Sequence, residues 1–127
     1  MERSNVMEAK FELRPIPKPR MTVRDKWAHR PIVDRYFMFK DALHLLANKQ
    51  KFVLPDEYEI VFYLEMPKSW GKKKKVEYLG KPHQAKPDLD NLVKAFQDAL
   101  VCEDMRVYKT LSEKYWSDND LIVVRWQ

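Results

Sequence analysis

With 127 residues, 45% of them hydrophobic, the chain is long enough for one domain with its own core and too apolar for a disordered protein. No apolar run approaches the roughly 18 residues of a membrane span, the first residues lack an export signal, and one cysteine excludes an internal disulfide, so we expect a soluble, cytoplasmic protein without a membrane partner. The net charge of +5 is uneven: residues 14–35 hold seven Lys or Arg against two Asp, and residues 68–86 hold seven Lys against one Glu, which suggests a polyanion partner.

The N-terminal part of the chain predicts a strand followed by a basic arm. Apolar and polar residues alternate from Met7 to Leu13, which is typical of a half-buried strand. Residues 14–31 then contain four prolines among basic residues, a composition that rules out a regular helix. We expect an extended arm across the surface that contacts a nucleic-acid backbone through Lys18, Arg20 and Arg24.

The middle of the chain predicts a helix and then a strand. Residues 33–49 carry apolar residues at helical spacing, with Asp34 near the N-cap, and residues 58–66 alternate as a strand does. The side chains expected to face the core are Tyr36, Phe39, Leu43 and Leu46 on the helix, and Ile60, Phe62, Leu64 and Met66 on the strand.

A lysine-rich segment follows this strand. Pro67 and Gly71 favour a loop, and the four consecutive lysines Lys72, Lys73, Lys74 and Lys75 cannot pack together without strong repulsion. A solvated loop or a localisation-like tract would also explain such a segment. We prefer a flexible loop that closes on DNA, because it leads directly to the acidic stretch described next.

The stretch from Lys86 to Asp104 carries the candidate chemistry. Pro87 favours a helix start, and Asp88 or Asp90 behind it can cap the first turn. A lysine follows four residues after the second Asp, and an acidic pair closes the stretch. Carboxylates that converge near a lysine suit Mg²⁺ together with a bound phosphate. Helix capping and ordinary pairs between side chains four residues apart would explain the same residues without a metal.

The rest of the chain predicts one more helix and two strands. Residues 106–116 and 121–126 are typical of strands, and the turn chemistry of residues 117–120 predicts that they form a hairpin. The order strand–helix–strand–helix–strand–strand predicts one α/β domain of the mixed α+β kind, with helices packed against a mixed sheet of about four strands. The apolar residues of the last helix, expected to form its buried face, are Leu92, Val93, Phe96, Ala99 and Leu100.

The run Lys86–Leu100 (KPDLDNLVKAFQDAL) resembles the signature of the RusA family of Holliday-junction resolvases, which are common in bacteriophages and prophages. The likeness covers most of the chain. Its further matching positions are Pro15–Arg20, Tyr36 and Lys40 upstream, and Glu103, Asp104, Val107 and Lys114 downstream.

Carried over by position, the resemblance implies that Asp88, Asp90 and Asp104 bind the metal and that Lys94 is the essential lysine. These four residues are the predicted catalytic set. Glu103 stands where the family often has aspartate, so it is kept as a reserve ligand. The DNA contacts predicted from the two basic segments and the resemblance are Lys18, Arg20, Arg24, Lys72, Lys73, Lys74, Lys75, Lys86 and Lys114.

The sequence therefore predicts a Mg²⁺-dependent endodeoxyribonuclease, with Mn²⁺ as a substitute ion and no small-molecule cofactor. The expected substrate is branched DNA with a four-way junction, cut by paired symmetric hydrolysis of phosphodiesters. Because such a junction has approximate twofold symmetry, a homodimer is expected, as the resemblance also implies. Three alternatives remain: a nuclease for other branched DNA, a DNA-binding protein without catalysis, and a protein-interaction domain with incidental basic segments.

Overall fold

A computed structural model describes residues 6–20, 30–100 and 106–127. Within these ranges the elements are β1 (Met7–Phe11), α1 (Pro31–Gln50), β2 (Glu57–Glu65), α2 (Lys72–Tyr78), α3 (Leu89–Leu100), β3 (Lys109–Ser117) and β4 (Leu121–Trp126). The predicted α+β class with a mixed sheet of four strands is confirmed. None of the helices in the described ranges is long and apolar enough to cross a membrane.

The strand β2 lies inside the sheet, whose order is β1-β4-β2-β3. It pairs in parallel with β3 and antiparallel with β4, and β4 pairs antiparallel with β1. Three successive residues of β2, Ile60, Val61 and Phe62, are all buried. A continuous buried apolar run is typical of an interior strand, whereas β3 has an exposed first half and forms an edge.

The predicted hairpin of the last two strands is wrong. β3 and β4 lie on opposite sides of β2, and residues 118–120 pass across its end. There the N–H of Glu65 donates to Oδ1 of Asp120 at 2.8 Å, and the N–H of Met66 donates to the carbonyl of Ser117 at 2.9 Å. The turn residues predict the change of direction, but burial of β2 between two partners decides the pairing, because it removes more apolar surface from water.

The predicted loop at Lys72–Lys75 is also wrong, because these lysines begin the short helix α2. Successive side chains on a helix point in different directions around its axis, so consecutive lysines are separated from one another. The helix packs through aromatic rings, with Trp70 centred 5.1 Å from Tyr78 and 4.8 Å from Trp116. Nζ of Lys74 lies 4.4 Å from the ring centre of Trp70, an attraction that offsets part of the repulsion.

The helices α1 and α3 cover one face of the sheet and form the main core with it. The inward positions predicted for α1 and β2 are confirmed as buried, except that Leu46 is half-buried against the core. On α3 the predicted face is buried at Leu92, Phe96 and Ala99, while Val93 and Leu100 are partly buried. Phe96 is fully buried, so the helix that begins with the acidic motif is held firmly against the sheet.

Candidate functional site

The segment before α3 runs along the outer edge of β3. The N–H of Gly80 donates to the carbonyl of Trp116, the N–H of Trp116 donates to Lys81, and the N–H of His83 donates to Lys114, at 3.0 to 3.1 Å. This pairing leads the chain from the lysine-rich helix α2 to the acidic motif. Both predicted functional segments are therefore anchored to one edge strand.

Lys114 lies beneath the turn that this segment makes before α3. Its Nζ donates to the carbonyl of Ala85 and to that of Pro87, both at 2.6 Å. Burial lowers the pKa of Lys114 below its ordinary value, although the nearby charge of Asp88 acts in the opposite direction. The predicted DNA-contacting lysine is thus half-buried and already bound to backbone oxygen atoms.

Asp88 and Asp90 lie at the start of α3, where the sequence predicts them. The carbonyl of Asp88 accepts a hydrogen bond from the N–H of Leu92 at 3.2 Å, which makes Asp88 the N-cap residue. Oδ1 of Asp90 accepts from the N–H of Asn91 at 3.0 Å. Both side chains are exposed, and within the described ranges no basic group lies within 4.0 Å of either carboxylate. Each can therefore accept a cation.

A cleft of about 720 Å³ opens beside Asp88. Three basic side chains line it together with the carboxylate: Arg14 from the arm, Arg35 from α1 and Lys86 from the turn. The remaining lining residues are Pro15, Ile16, Pro17, Leu64, Pro87 and Asn91. A carboxylate that faces a basic cleft can hold a divalent cation while the surrounding cations attract a phosphate.

Lys94 and Lys18 meet at a single carboxylate on α3. Nζ of Lys94 lies 3.4 Å from Oδ2 of Asp98, and Nζ of Lys18 lies 2.9 Å from the same oxygen. Lys94 is otherwise exposed, whereas Lys18 is half-buried with Nζ 5.0 Å from the ring centre of Tyr36. The basic arm is also tied to α3 through its backbone, since the N–H of Lys18 donates to the carbonyl of Asn91 at 3.1 Å.

The charges of this network shift the pKa values of two of its members. Burial alone would raise the pKa of Asp98, but the hydrogen bond and charge of Lys18, with the charge of Lys94, hold it below its usual range. Burial alone would lower the pKa of Lys18, but Asp98 and Tyr36 raise it. Both shifts favour the charged pair over its neutral form.

The other predicted DNA contacts lie at the surface where the structure describes them. Lys72, Lys73 and Lys74 are exposed on α2, and Lys75 is half-buried. Arg20 is exposed, and its carbonyl accepts from the guanidinium of Arg30 at 2.8 Å. Arg24, Asp104 and Glu103 lie outside the described residues.

The donors present fit a divalent cation of the Mg²⁺ type. Mg²⁺ usually takes one or two protein carboxylates and completes its shell with water and phosphate oxygen atoms. This matches the exposed Asp88, which lines a basic cleft, and the exposed Asp90 two residues later. Residues 6–20, 30–100 and 106–127 contain no group of three His, Cys, Asp or Glu side chains placed to hold a metal. The third predicted ligand, Asp104, is not in these ranges.

Sequence reasoning did not single out three residues of this site. Arg14 and Arg35 belong to the recognised basic segment, but nothing in the sequence shows that they meet at the cleft. Asp98 stands at helical spacing from Lys94, and this signal predicts that pair but not the contact with Lys18, eighty positions away.

A sequence profile of the family described as Endodeoxyribonuclease RusA matches residues 12–126. The matched range contains the cleft, both carboxylates at the start of α3, and the strands β2, β3 and β4. No curated protein matches the chain.

Proposed function

The chain belongs to the RusA family of endodeoxyribonucleases, and from this premise we propose that it resolves four-way DNA junctions by Mg²⁺-dependent hydrolysis of phosphodiester bonds. The observation that supports the metal-dependent step is the cleft in which Asp88 faces Arg14, Arg35 and Lys86. It combines a site for a hard cation with a site for a phosphate.

Each residue of the predicted catalytic set has a role in this proposal. Asp88 and Asp90, completed by Asp104, hold Mg²⁺ or Mn²⁺. The bound ion supplies polarisation of the phosphate and a water of lowered pKa. Lys94 stabilises negative charge that develops on the phosphate, and Asp98 limits the positions its ammonium can take.

DNA binding is assigned to the basic residues of the arm and of α2. Phosphate contacts give affinity without reading base sequence, so recognition of a junction comes from its shape. Arg20, Arg24, Lys86 and the four lysines of α2 supply these contacts. Lys18 contributes by holding the arm against α3, because its ammonium is already paired with Asp98.

Paired cuts on the two strands of a junction require two sites. A homodimer with twofold symmetry provides them in the symmetry of the substrate. Sedimentation of the protein with and without junction DNA tests this part of the proposal, and a monomer in both conditions would contradict it.

The decisive experiment is cleavage of a synthetic four-way junction in Mg²⁺, with duplex and flap DNA of matched sequence as comparison substrates. Asp90→Asn is expected to lower the cleavage rate by about 100-fold or more while it still binds the junction in Ca²⁺. Asp41→Asn, which removes an exposed carboxylate from α1, is the matched control and should cut like the wild type.

The substrate panel separates the remaining alternatives. Preferential cutting of flaps would indicate a nuclease for other branched DNA. Binding to the junction without cutting in either Mg²⁺ or Mn²⁺ would leave a DNA-binding protein without catalysis. Weak binding with little salt dependence would indicate a protein-interaction domain.

A further inference from the structure

Lys114 is the residue whose observed contacts differ most from the role expected from the sequence. Its Cα is paired with that of Phe62 on β2, so its side chain points to the helix-covered face of the sheet. Nζ donates to the carbonyl groups of Ala85 and Pro87 at 2.6 Å each. An ammonium group has three N–H donors, so no more than one remains for an external ligand.

These two hydrogen bonds hold the segment that carries Asp88. In the part of the chain that the structure describes, no other hydrogen bond joins residues 84–87 to the rest of the protein. Before this segment, the N–H of His83 donates to the carbonyl of Lys114. After it, the carbonyl of Asp88 accepts from Leu92 in the first turn of α3. Lys114 therefore bridges an anchored edge and the beginning of the helix.

We propose that Lys114 is a positioning residue of the metal site: by binding both carbonyl groups, it holds the Asp88 carboxylate where it shares a divalent cation with Asp90. The inference rests on the proposed function for the identity of the cation. It replaces the direct DNA contact expected for this lysine, because two of its three donors are committed to Ala85 and Pro87 and the side chain is half-buried.

The first test compares Lys114→Met with Lys73→Met, two variants that lose the same charge at a half-buried and at an exposed position. Lys114→Met is expected to weaken Mn²⁺ binding to the DNA-free protein by about tenfold in calorimetry. It should also accelerate hydrogen exchange at the amide of Leu92. Its junction affinity without divalent ions should stay within about twofold of wild type, with the same salt dependence.

Lys73→Met is expected to show the opposite pattern. Mn²⁺ binding stays unchanged, while the slope of log junction affinity against log salt decreases by about one, because one phosphate contact is lost. The same pattern in Lys114→Met, with normal Mn²⁺ binding and exchange, would overturn the inference. Lys114→Arg keeps donors for both carbonyl groups and should recover part of the Mn²⁺ affinity, whereas a loss equal to that of Lys114→Met would count against positioning.

A measurement on the unchanged protein keeps the inference testable if Lys114→Met does not fold. Amine-reactive labelling, followed by mass spectrometry, should modify Lys114 several-fold more slowly than Lys73 in the absence of DNA. Junction DNA should then protect Lys73 and leave the rate at Lys114 unchanged. Strong DNA protection at Lys114 would show a phosphate contact and overturn the inference.

These measurements also separate the inference from the proposed function. Failure of the wild type to cut any branched DNA would refute the nuclease proposal. Labelling, hydrogen exchange and Mn²⁺ binding need no cleavage, so they report on Lys114 in either case.

Discussion

Nζ of Lys18 lies 2.9 Å from Oδ2 of Asp98, and this contact joins the basic arm to the helix that begins with the acidic motif. The same oxygen lies 3.4 Å from Nζ of Lys94. One carboxylate therefore orients two of the lysines that the sequence assigns to DNA and catalysis. Arg14, four residues before Lys18 in the arm, lines the cleft beside Asp88.

The pair of Lys18 and Asp98 is expected to stabilise the fold. Lys18→Met and Asp98→Asn should each lower the free energy of unfolding by about 1–2 kcal/mol, because both side chains are mostly buried and form a charge-assisted hydrogen bond. Urea denaturation of the two variants and the double variant measures the coupling. Fully additive losses would contradict a direct interaction.

The contribution of this pair is expected to depend on pH at both extremes. The pKa of Asp98 is lowered in the fold, so its stabilisation is present above an ordinary Asp pKa of about 4 and is lost as the pH falls through the lowered value. The pKa of Lys18 is raised, so its share persists below about 10.5 and is lost as the pH rises through the raised value. The difference between wild type and Asp98→Asn should therefore shrink in acid.

Arg35 is expected to bind the phosphate in the cleft. Arg35→Gln should lower the rate of junction cleavage at limiting substrate by about tenfold, because one charge-assisted contact beside Asp88 is lost. Lys49→Gln is the control, since it removes a basic residue of the same helix about 21 Å farther along its axis. Equal losses in both variants would mean a general charge effect instead of a local contact.

The helix α2 is expected to contribute electrostatic affinity. Lys72→Gln combined with Lys73→Gln should weaken junction binding and reduce the slope of log affinity against log salt by about two, because two exposed cations no longer displace counterions. Lys10→Gln combined with Lys49→Gln changes the net charge equally and serves as the control. A slope that falls equally in the control pair would show that α2 has no special role.

His83 is expected to make the protein sensitive to mild acid. Its side chain is only 4% exposed, its ring lies 4.1 Å from Trp116, and burial together with the charge of Lys114 lowers its pKa. Below about pH 6.5 the unfolded chain gains a proton before the folded protein does, so stability is complete above that pH and falls as the pH approaches the lowered value.

The measurement for His83 is the free energy of unfolding from urea denaturation at pH values from 7.5 to 5, a range that includes the ordinary His pKa of about 6.5. His83→Leu should lose less stability than the wild type over this interval, whatever its stability at the upper end. An unchanged pH dependence in His83→Leu would contradict this account.

Much of the fold could be predicted because the patterns that specify it are local. The alternation at β2 and the helical spacing on α1 and α3 depend only on which side chains avoid water, and these faces are buried as expected. The acidic motif was located for the same reason, since Pro87 and the two Asp residues determine a helix start from neighbouring residues alone. The two errors, the hairpin and the loop, arose where distant partners decide: β2 lies between β3 and β4, and Trp116 packs against Trp70 beside α2.

By itself, the sequence determined the types of all the described elements except α2, the position of the acidic motif, the two basic segments and the resemblance to one family. Only the tertiary structure decided that Arg14 and Arg35 line the cleft with Asp88, that Lys18 reaches Asp98, and that Lys114 binds the turn before α3. The physical reason is the distance along the sequence between the residues that make each contact. Periodicity and capping act over a few residues, whereas these contacts join positions 27 to 80 residues apart and exist only after the sheet has formed.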